Sequence, residues 1–355
     1  MGGLVRETIA AIGPVDAAAM AAAAARQGQL TKPAGSLGRL EALASQLAGM
    51  TGRARPRFAR PAVIVMAGDH GVARRGVSAY PQAVTAQMVA NFLAGGAAIN
   101  VLARQIGARV VVVDVGVAAE LPSHPELRAR RVAPGTRDFA EGPAMTRDEA
   151  LRAVAAGIEV AGATIDEGAD LIGTGEMGIG NTTAASAIVA AITGRTVPEV
   201  TGRGTGVDDE GWRRKVAVIE GALALHRPDP NDPLGVLAAV GGFEIGGLAG
   251  VMLGAAARRV PVVLDGFIAG AAALLAVGLA PALAPRLVAA HRSVEIGHGV
   301  ALEQLGVVPL LDLDLRLGEG TGAALGMGLC MASCALLDEM ATFGEAGVSG
   351  QDGAN

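Results

Sequence analysis

The sequence predicts an α/β fold: a parallel sheet with helices on both faces, plus a small helical part. Three observations carry this reading. Short, β-branched runs recur from about residue 60, each ends in a polar residue and glycine, and an apolar stretch with helical spacing follows. Strands buried on both faces read as nearly unbroken hydrophobic runs, and their alternation with helices marks a parallel sheet.

The elements follow in order. The first ~50 residues are Ala-rich and helical, with a break at "QGQLTKPAGSLGRLE", where Pro33 and Gly35 interrupt and Ser36 is placed to cap a second helix. The strand candidates are "PAVIVMAGDHG", "ARVVVVDVG", "ADLIGTGE", "VPVVLDG" and "LLDLDLRLGEG". A closing helix, "AALGMGLCMASCALLDEMATF", leads into a polar tail from Gly344 that reads as frayed. In open α/β sheets ligands bind beyond the C-terminal strand ends, which gathers Asp69 with His70, Asp114, Glu176, Asp265 and Glu319 towards one crevice.

Composition narrows the function. The net charge is -5 and the basic residues are scattered, which argues against a nucleic-acid surface. Cys330 and Cys334 lie four apart in a helical pattern, as buried thiols in a reducing, cytoplasmic setting would. The uncharged run Gly266 to Pro285 has the length of a membrane span, but Ala, Gly and Pro281 dominate it, so a buried helix is expected. No export signal is evident at the N-terminus, where Glu7 and Asp16 precede the Ala run.

Three glycine-rich loops invite an anion. "RLGEGTGAA" precedes a helix, yet Glu319 within it would repel a phosphate. "GTGEMG", Gly173 to Gly178, has the form of a dinucleotide fingerprint, with Glu199 about twenty residues on, but no strand is expected to end at Glu199. "TGRGTGVDDEGWRRK" offers backbone donors at Gly202, Gly204 and Gly206, then Lys215. Only Lys32 and Lys215 are lysines among 29 basic residues, so Lys215 is not default surface charge, although a solvated helix face remains the alternative. The Walker A pattern is absent. Tyr80, the sole tyrosine, lies in a Pro-containing loop with Ser78 and could wall a flat ligand or simply pack on its own loop. His291, Glu295 and His298 in "HRSVEIGHG" lack metal-site spacing, so a polar contact or a helix end is expected there and no metal.

Eight segments, "LTKPAGSLGRLE", "AGDHGV", "GVSAYPQAVTAQMVANFLAGGAAI", "GEMGIGNTT", "GRGTGVDDEG", "LDGFIAGAAAL", "HRSVEIGH" and "LRLGEGTGAAL", stand in the order found in the nicotinate-nucleotide:dimethylbenzimidazole phosphoribosyltransferase family. The chain resembles that family nearly end to end. The resemblance implies a Rossmann-like catalytic domain over 56–329 and a small helical domain from 1–55 and 330–355. It also implies a homodimer in which a neighbouring subunit helps complete the site, and no metal or cofactor. The implied reaction moves the phosphoribosyl group of nicotinate mononucleotide to dimethylbenzimidazole, with inversion at C1′ and Glu319 as general base.

By the same resemblance, Gly178, Ile179, Gly204 and Lys215 would hold the nucleotide phosphate. Asp265 and Gly266 would sit by the ribose and leaving group, and Ser293 by the nicotinate carboxylate. Ser78, Tyr80, Gln87, Met177 and Leu317 would line the benzimidazole pocket. Acids near C1′ would stabilise its developing positive charge, which gives Glu176 and Asp265 an electrostatic or ribose-binding role. Chemistry agrees that a carboxylate suits removal of an azole N–H proton. Burial would raise its pKa and a helix N-terminus would lower it. Two other readings are a non-catalytic nucleotide-binding or sensor protein using the same crevice, and an NAD-dependent oxidoreductase resting on "GTGEMG".

Overall fold

A computed structural model describes residues 2–349. Helices α1 (Gly3–Ala11), α2 (Ala17–Gln27) and α3 (Arg39–Thr51) precede β1 (Pro61–Gly68), and α4 (Val84–Ala94) and α5 (Ala98–Gln105) lead to β2 (Arg109–Gly116) and β3 (Leu127–Ala129). Next come α6 (Arg147–Asp166), β4 (Leu171–Met177), α7 (Asn181–Thr193), α8 (Val197–Val200), α9 (Asp209–His226), α10 (Pro233–Val240) and α11 (Phe243–Ala257). The chain continues through β5 (Val262–Leu264), α12 (Phe267–Leu279), β6 (Leu287–Ala289), β7 (His291–Arg292) and α13 (Ile296–Leu305). It closes with β8 (Leu311–Asp312), α14 (Thr321–Glu339) and α15 (Phe343–Ala346).

The main sheet has six strands in the order β3-β2-β1-β4-β5-β6, and every pairing is parallel. β1 sits centrally with all eight residues buried, as its unbroken apolar run requires. Its register with β4 sets Met66 beside Glu176, and its register with β2 sets Ala67 beside Asp114. Strand order reverses between β1 and β4, so a crevice opens there at the C-terminal edge. Helices cover both faces, with α6 and α11 packed on one and α14 and α5 on the other.

Several elements differ from the sequence expectations. "LLDLDLRL" contributes only the two-residue β8, which pairs with β7 outside the main sheet. Its alternation of leucine and aspartate is that of a surface segment: Leu313 and Leu317 are exposed, and Asp314 has a left-handed φ of 54°. β3 and β6, three residues each, are too short to show a pattern. Ser36 caps nothing, because α3 starts at Arg39 behind Gly38. The tail is helical through Ala346, held by a Thr342–Glu345 capping box, and 350–355 lie outside the described residues.

The Gly266–Pro285 run forms the 13-residue α12, buried against α11, α13 and α7. By length and composition alone, the helical stretches Val84–Gln105 and Thr321–Glu339 could cross a membrane. The first is broken between α4 and α5, and the second packs on the sheet.

At the chain ends, Ala19, Ala23, Ala44, Ala48 and Leu337 form a separate small core between α2, α3 and α14, and Leu30 bridges to Thr342. α1 instead packs on α6 and α11, with Val5 and Ile12 in the main core. Arg286, 4% exposed, ties these parts together by donating to the carbonyls of Gly13, Pro14 and Met50. Buried carbonyls left without a donor are costly. Arg286→Met is therefore expected to lower the unfolding free energy by about 3 kcal/mol, read from the urea midpoint. An unchanged midpoint would show that the clamp contributes nothing.

Candidate active site

Asp265 follows β5 and is 2% exposed. Its Oδ2 accepts the Gly320 N–H (3.2 Å) and its Oδ1 the Ala323 N–H (3.0 Å), with the Gly322 N–H as a further donor. The first turn of α14 is thus an anion site occupied by the chain's own carboxylate. Asp265 is fixed from behind as well, since its N–H donates to Thr174 Oγ1 on β4 (3.0 Å).

Glu319 precedes that turn in a loop of three consecutive left-handed residues, Gly318 (φ 86°), Glu319 (φ 63°) and Gly320 (φ 94°). Glycine takes this conformation freely, whereas Glu319 pays about 1 kcal/mol for it. The loop also needs the bare glycines for space: a Cβ on Gly320 would lie 2.6 Å from Val63 Cγ1, and one on Gly318 2.2 Å from Glu176 Oε1. The contortion turns the Glu319 carboxylate away from α14, and its Oε2 accepts the Ile99 N–H in the first turn of α5 (3.2 Å). Burial raises the Glu319 pKa, the Ile99 N–H opposes it, and Asp265 adds to the rise; the net shift is upward.

Glu176, near the end of β4, completes a group of three carboxylates. Burial first, then Asp265, Glu244 and Glu319, push it up to about 8, while the Asn181 side-chain amide donates to its Oε2. Near neutral pH this carboxyl therefore carries a proton. The three acids face a cavity of about 450 Å³ at the C-terminal ends of β4 and β5, with Phe267, Ile268 and Met177 supplying apolar wall.

Beyond the cavity wall formed by Thr182 and Gly204, Lys215 of α9 is fully buried and outside the lining, its Nζ donating to Thr182 Oγ1 (2.8 Å). Burial lowers its pKa to about 8 against the pull of Glu295. Gly178, Ile179, Gly204, Gly266 and Ser293 line the cavity, but the Ile179 N–H is already donated to Thr85 (3.1 Å). Tyr80 and Leu317 stand at its mouth, 55% and 59% exposed. Ser78 is not in the lining and instead hydrogen-bonds Thr205 (3.1 Å), tying the Tyr80 loop to the Gly204 loop. Gln87 is exposed on α4 and outside the lining. A second cavity of about 690 Å³ adjoins this wall, shares Gly204, Glu295 and Arg316 with the first, and is lined by Trp212.

Not every acid at a strand end reaches the crevice. Asp114 caps its own turn through the Gly116 and Val117 N–H groups and pairs with Arg131, because β2 lies away from the switch point. Asp69 accepts from the Ala118 N–H, and His70 points into the core, where it meets Glu244 at 2.6 Å. Burial lowers the His70 pKa but Glu244 outweighs it, leaving it raised. His298 accepts the Ser293 N–H at Nδ1 (2.9 Å) and is held down to about 3 by burial, then by His291 and Arg292. Burial and neighbouring Asp338 push the Cys334 thiol up to about 12 and burial raises Cys330 too, so neither offers a thiolate.

The dinucleotide reading fails on geometry. Gly173 and Gly175 lie inside β4 and not in a turn, and Glu199 sits on α8, where it caps Thr196. No group of three or more His, Cys, Asp or Glu suited to a metal occurs among the described residues. Sequence reasoning overlooked Asn181, Thr182 and Arg316. The first two lie within the quoted "GEMGIGNTT" and Arg316 within "LRLGEGTGAAL", but none of the three was singled out.

A family model described as "Phosphoribosyltransferase" matches residues 12–348. A relative from Roseiflexus sp. (strain RS-1), named nicotinate-nucleotide--dimethylbenzimidazole phosphoribosyltransferase, is 72% identical over 348 residues, covering 98% of this chain and 99% of its own. A relative of the same name from Geobacter sulfurreducens is 56% identical over 349 residues, covering 98% and 99%. The crystal structure of a protein so named from Thermus thermophilus superposes with a TM-score of 0.90 at 52% identity, over 94% of this chain and 99% of that one.

Glu176 gives a test of the site's electrostatics. A carboxyl raised to about 8 when folded holds its proton where the unfolded chain has lost it, so its contribution to stability is lost as pH rises through that value. Glu176→Gln is expected to be more stable than the parent above pH 8 by more than ~1 kcal/mol, and the gap should close towards pH ~4. Thermal melts across that range check it, and a gap independent of pH would refute the assignment.

Proposed function

From the premise that the chain belongs to the phosphoribosyltransferase family, we propose that it transfers the 5-phosphoribosyl group of nicotinate mononucleotide to 5,6-dimethylbenzimidazole. The products are α-ribazole 5′-phosphate and nicotinate. The observation that carries the mechanism is the Glu319 carboxylate, buried, raised in pKa and turned towards the cavity that Asp265 and Glu176 share.

In this reading one ring nitrogen of the base attacks C1′ as the bond to the nicotinate nitrogen breaks, and Glu319 takes the N–H proton from the other ring nitrogen. Nicotinate keeps the electron pair and leaves neutral at nitrogen, so no acid is needed for it. Attack opposite the leaving group inverts C1′ from β to α. A base whose pKa lies nearer the working pH is the better proton acceptor. Asp265, in ionised form, stabilises positive charge developing at C1′.

The remaining assignments belong to the same proposal. Lys215, Gly204, Gly178 and Ile179 hold the phosphate, where a protonated lysine over glycine amides suits an anion. Gly266 and Ser293 lie by the leaving group. Tyr80, Met177 and Leu317 form the base pocket, with Ser78 and Gln87 at its outer edge. Of the chain ends assigned to a small helical domain, 1–55 and 330–355, the part that supports it is the Ala-rich core shared by α2, α3 and α14, whereas α1 packs with the main core and 350–355 lie outside the described residues. The enzyme works in the cytoplasm without a cofactor.

We place the functional unit as a homodimer. Val294, Ile296 and Leu317 are large apolar side chains about half exposed in the walls of the two adjoining cavities, where a second copy would cover them. Light scattering on the eluting protein should give twice the chain mass of 35.3 kDa. A monomer at working concentration would overturn this.

Incubation with nicotinate mononucleotide and a panel of bases, with products identified by mass, tests the reaction. Binding of both substrates without nicotinate release would favour a sensor. Glu319→Gln is expected to keep the fold and substrate binding but lose at least ~100-fold in kcat. The parent's activity should rise with pH through an ionisation above the ordinary glutamate range. Near-normal turnover in the variant would sink Glu319 as the base.

A further inference from the structure

His291 lines the main cavity without a part in the chemistry described so far. Its ring, 4% exposed, fills a slot between α14 and the start of α12. A Cβ on Gly322 would lie 2.0 Å from its Cδ2, and one on Gly266 3.3 Å from its Nε2. The Nε2 is 3.8 Å from Asp265 Oδ1, and the Nδ1 is buried without a partner. Behind it the His298 ring packs edge-on at 6.1 Å.

Asp265 is contested from several sides. The Asp265 charge raises the pKa of Glu176 on β4 and of Glu319 on the loop before α14, and Glu176 is protonated near neutral pH. The amides of Gly320, Gly322 and Ala323 on α14 favour the Asp265 carboxylate, and His291 on β7 is the cationic or N–H-donating group beside it. We propose that His291 is a positioning residue for Asp265, keeping that carboxylate ionised and aligned towards the reacting carbon. The proposal rests on the reading that Asp265 faces C1′.

Burial raises the Asp265 pKa and sets the net upward direction, and His291, ahead of the α14 amides, is the largest influence opposing it. Loss of His291 therefore lets Asp265 take up a proton at higher pH, and the deficit is greatest in acid. His291→Gln should be ~10-fold slower than the parent at about pH 6 and approach it at about pH 9, because Glu319's own titration cancels in the ratio. Asp265→Asn with His291→Gln should be no slower than Asp265→Asn alone.

Circular dichroism confirms that each variant is folded, and His291→Asn carries the same test if His291→Gln does not accumulate. A deficit constant across pH, or additive losses in the double variant, would overturn the inference while leaving the proposed function standing. A parent that forms no product overturns both.

Discussion

The first turn of α14 donates its free N–H groups to Asp265, a side chain delivered from the end of β5. That contact closes the helix onto the sheet edge and decides the position of everything just before it. Gly318 to Gly320 must wind left-handed to enter the helix while lying against Val63 and Glu176, and the winding swings Glu319 across to α5. Two acids thus rest on two different helix N-termini, beside a third acid that has neither helix nor cation. Their environments separate their roles: Asp265 is surrounded by donors, Glu319 has one, and Glu176 keeps its proton near neutrality.

The same contact answers the conflict posed by "RLGEGTGAA". A glycine-rich turn opening a long helix does bind an anion here, but the anion is built in. Lys215 lies behind Gly204 and Thr182, outside the cavity lining, and burial lowers its pKa to about 8. Glu295 is the carboxylate whose charge reaches that lysine, and it holds the ammonium's pKa up against burial.

How far the sequence could be read depended on the range of the interactions. β1, β2 and β4 were legible because their residues are buried on both faces and advertise it locally. β8 was overread because alternating leucine and aspartate imitates a strand while Leu313 and Leu317 face outward. Asp265 and Glu319 were placed near the crevice by topology and motif, but their partners lie 55 and 220 residues away, and no spacing rule spans that. Asp114 shows the converse: a polar residue ending a strand satisfied by its own turn. The glycines of "GTGEMG" looked like a turn, yet Gly173 and Gly175 sit in β4, the latter leaving room for the Glu319 carbonyl.

The sole tryptophan and the sole tyrosine of the chain lie in the walls of the two adjoining cavities. Trp212 is anchored through its Nε1 to the Thr201 carbonyl, directly before the Gly202 to Gly204 turn, while Tyr80 stands at the mouth of the inner cavity. The protein's near-ultraviolet absorption and emission therefore arise almost wholly from the site and hardly at all from the core. Occupancy of either cavity can be followed in the native chain through tryptophan emission, with no label.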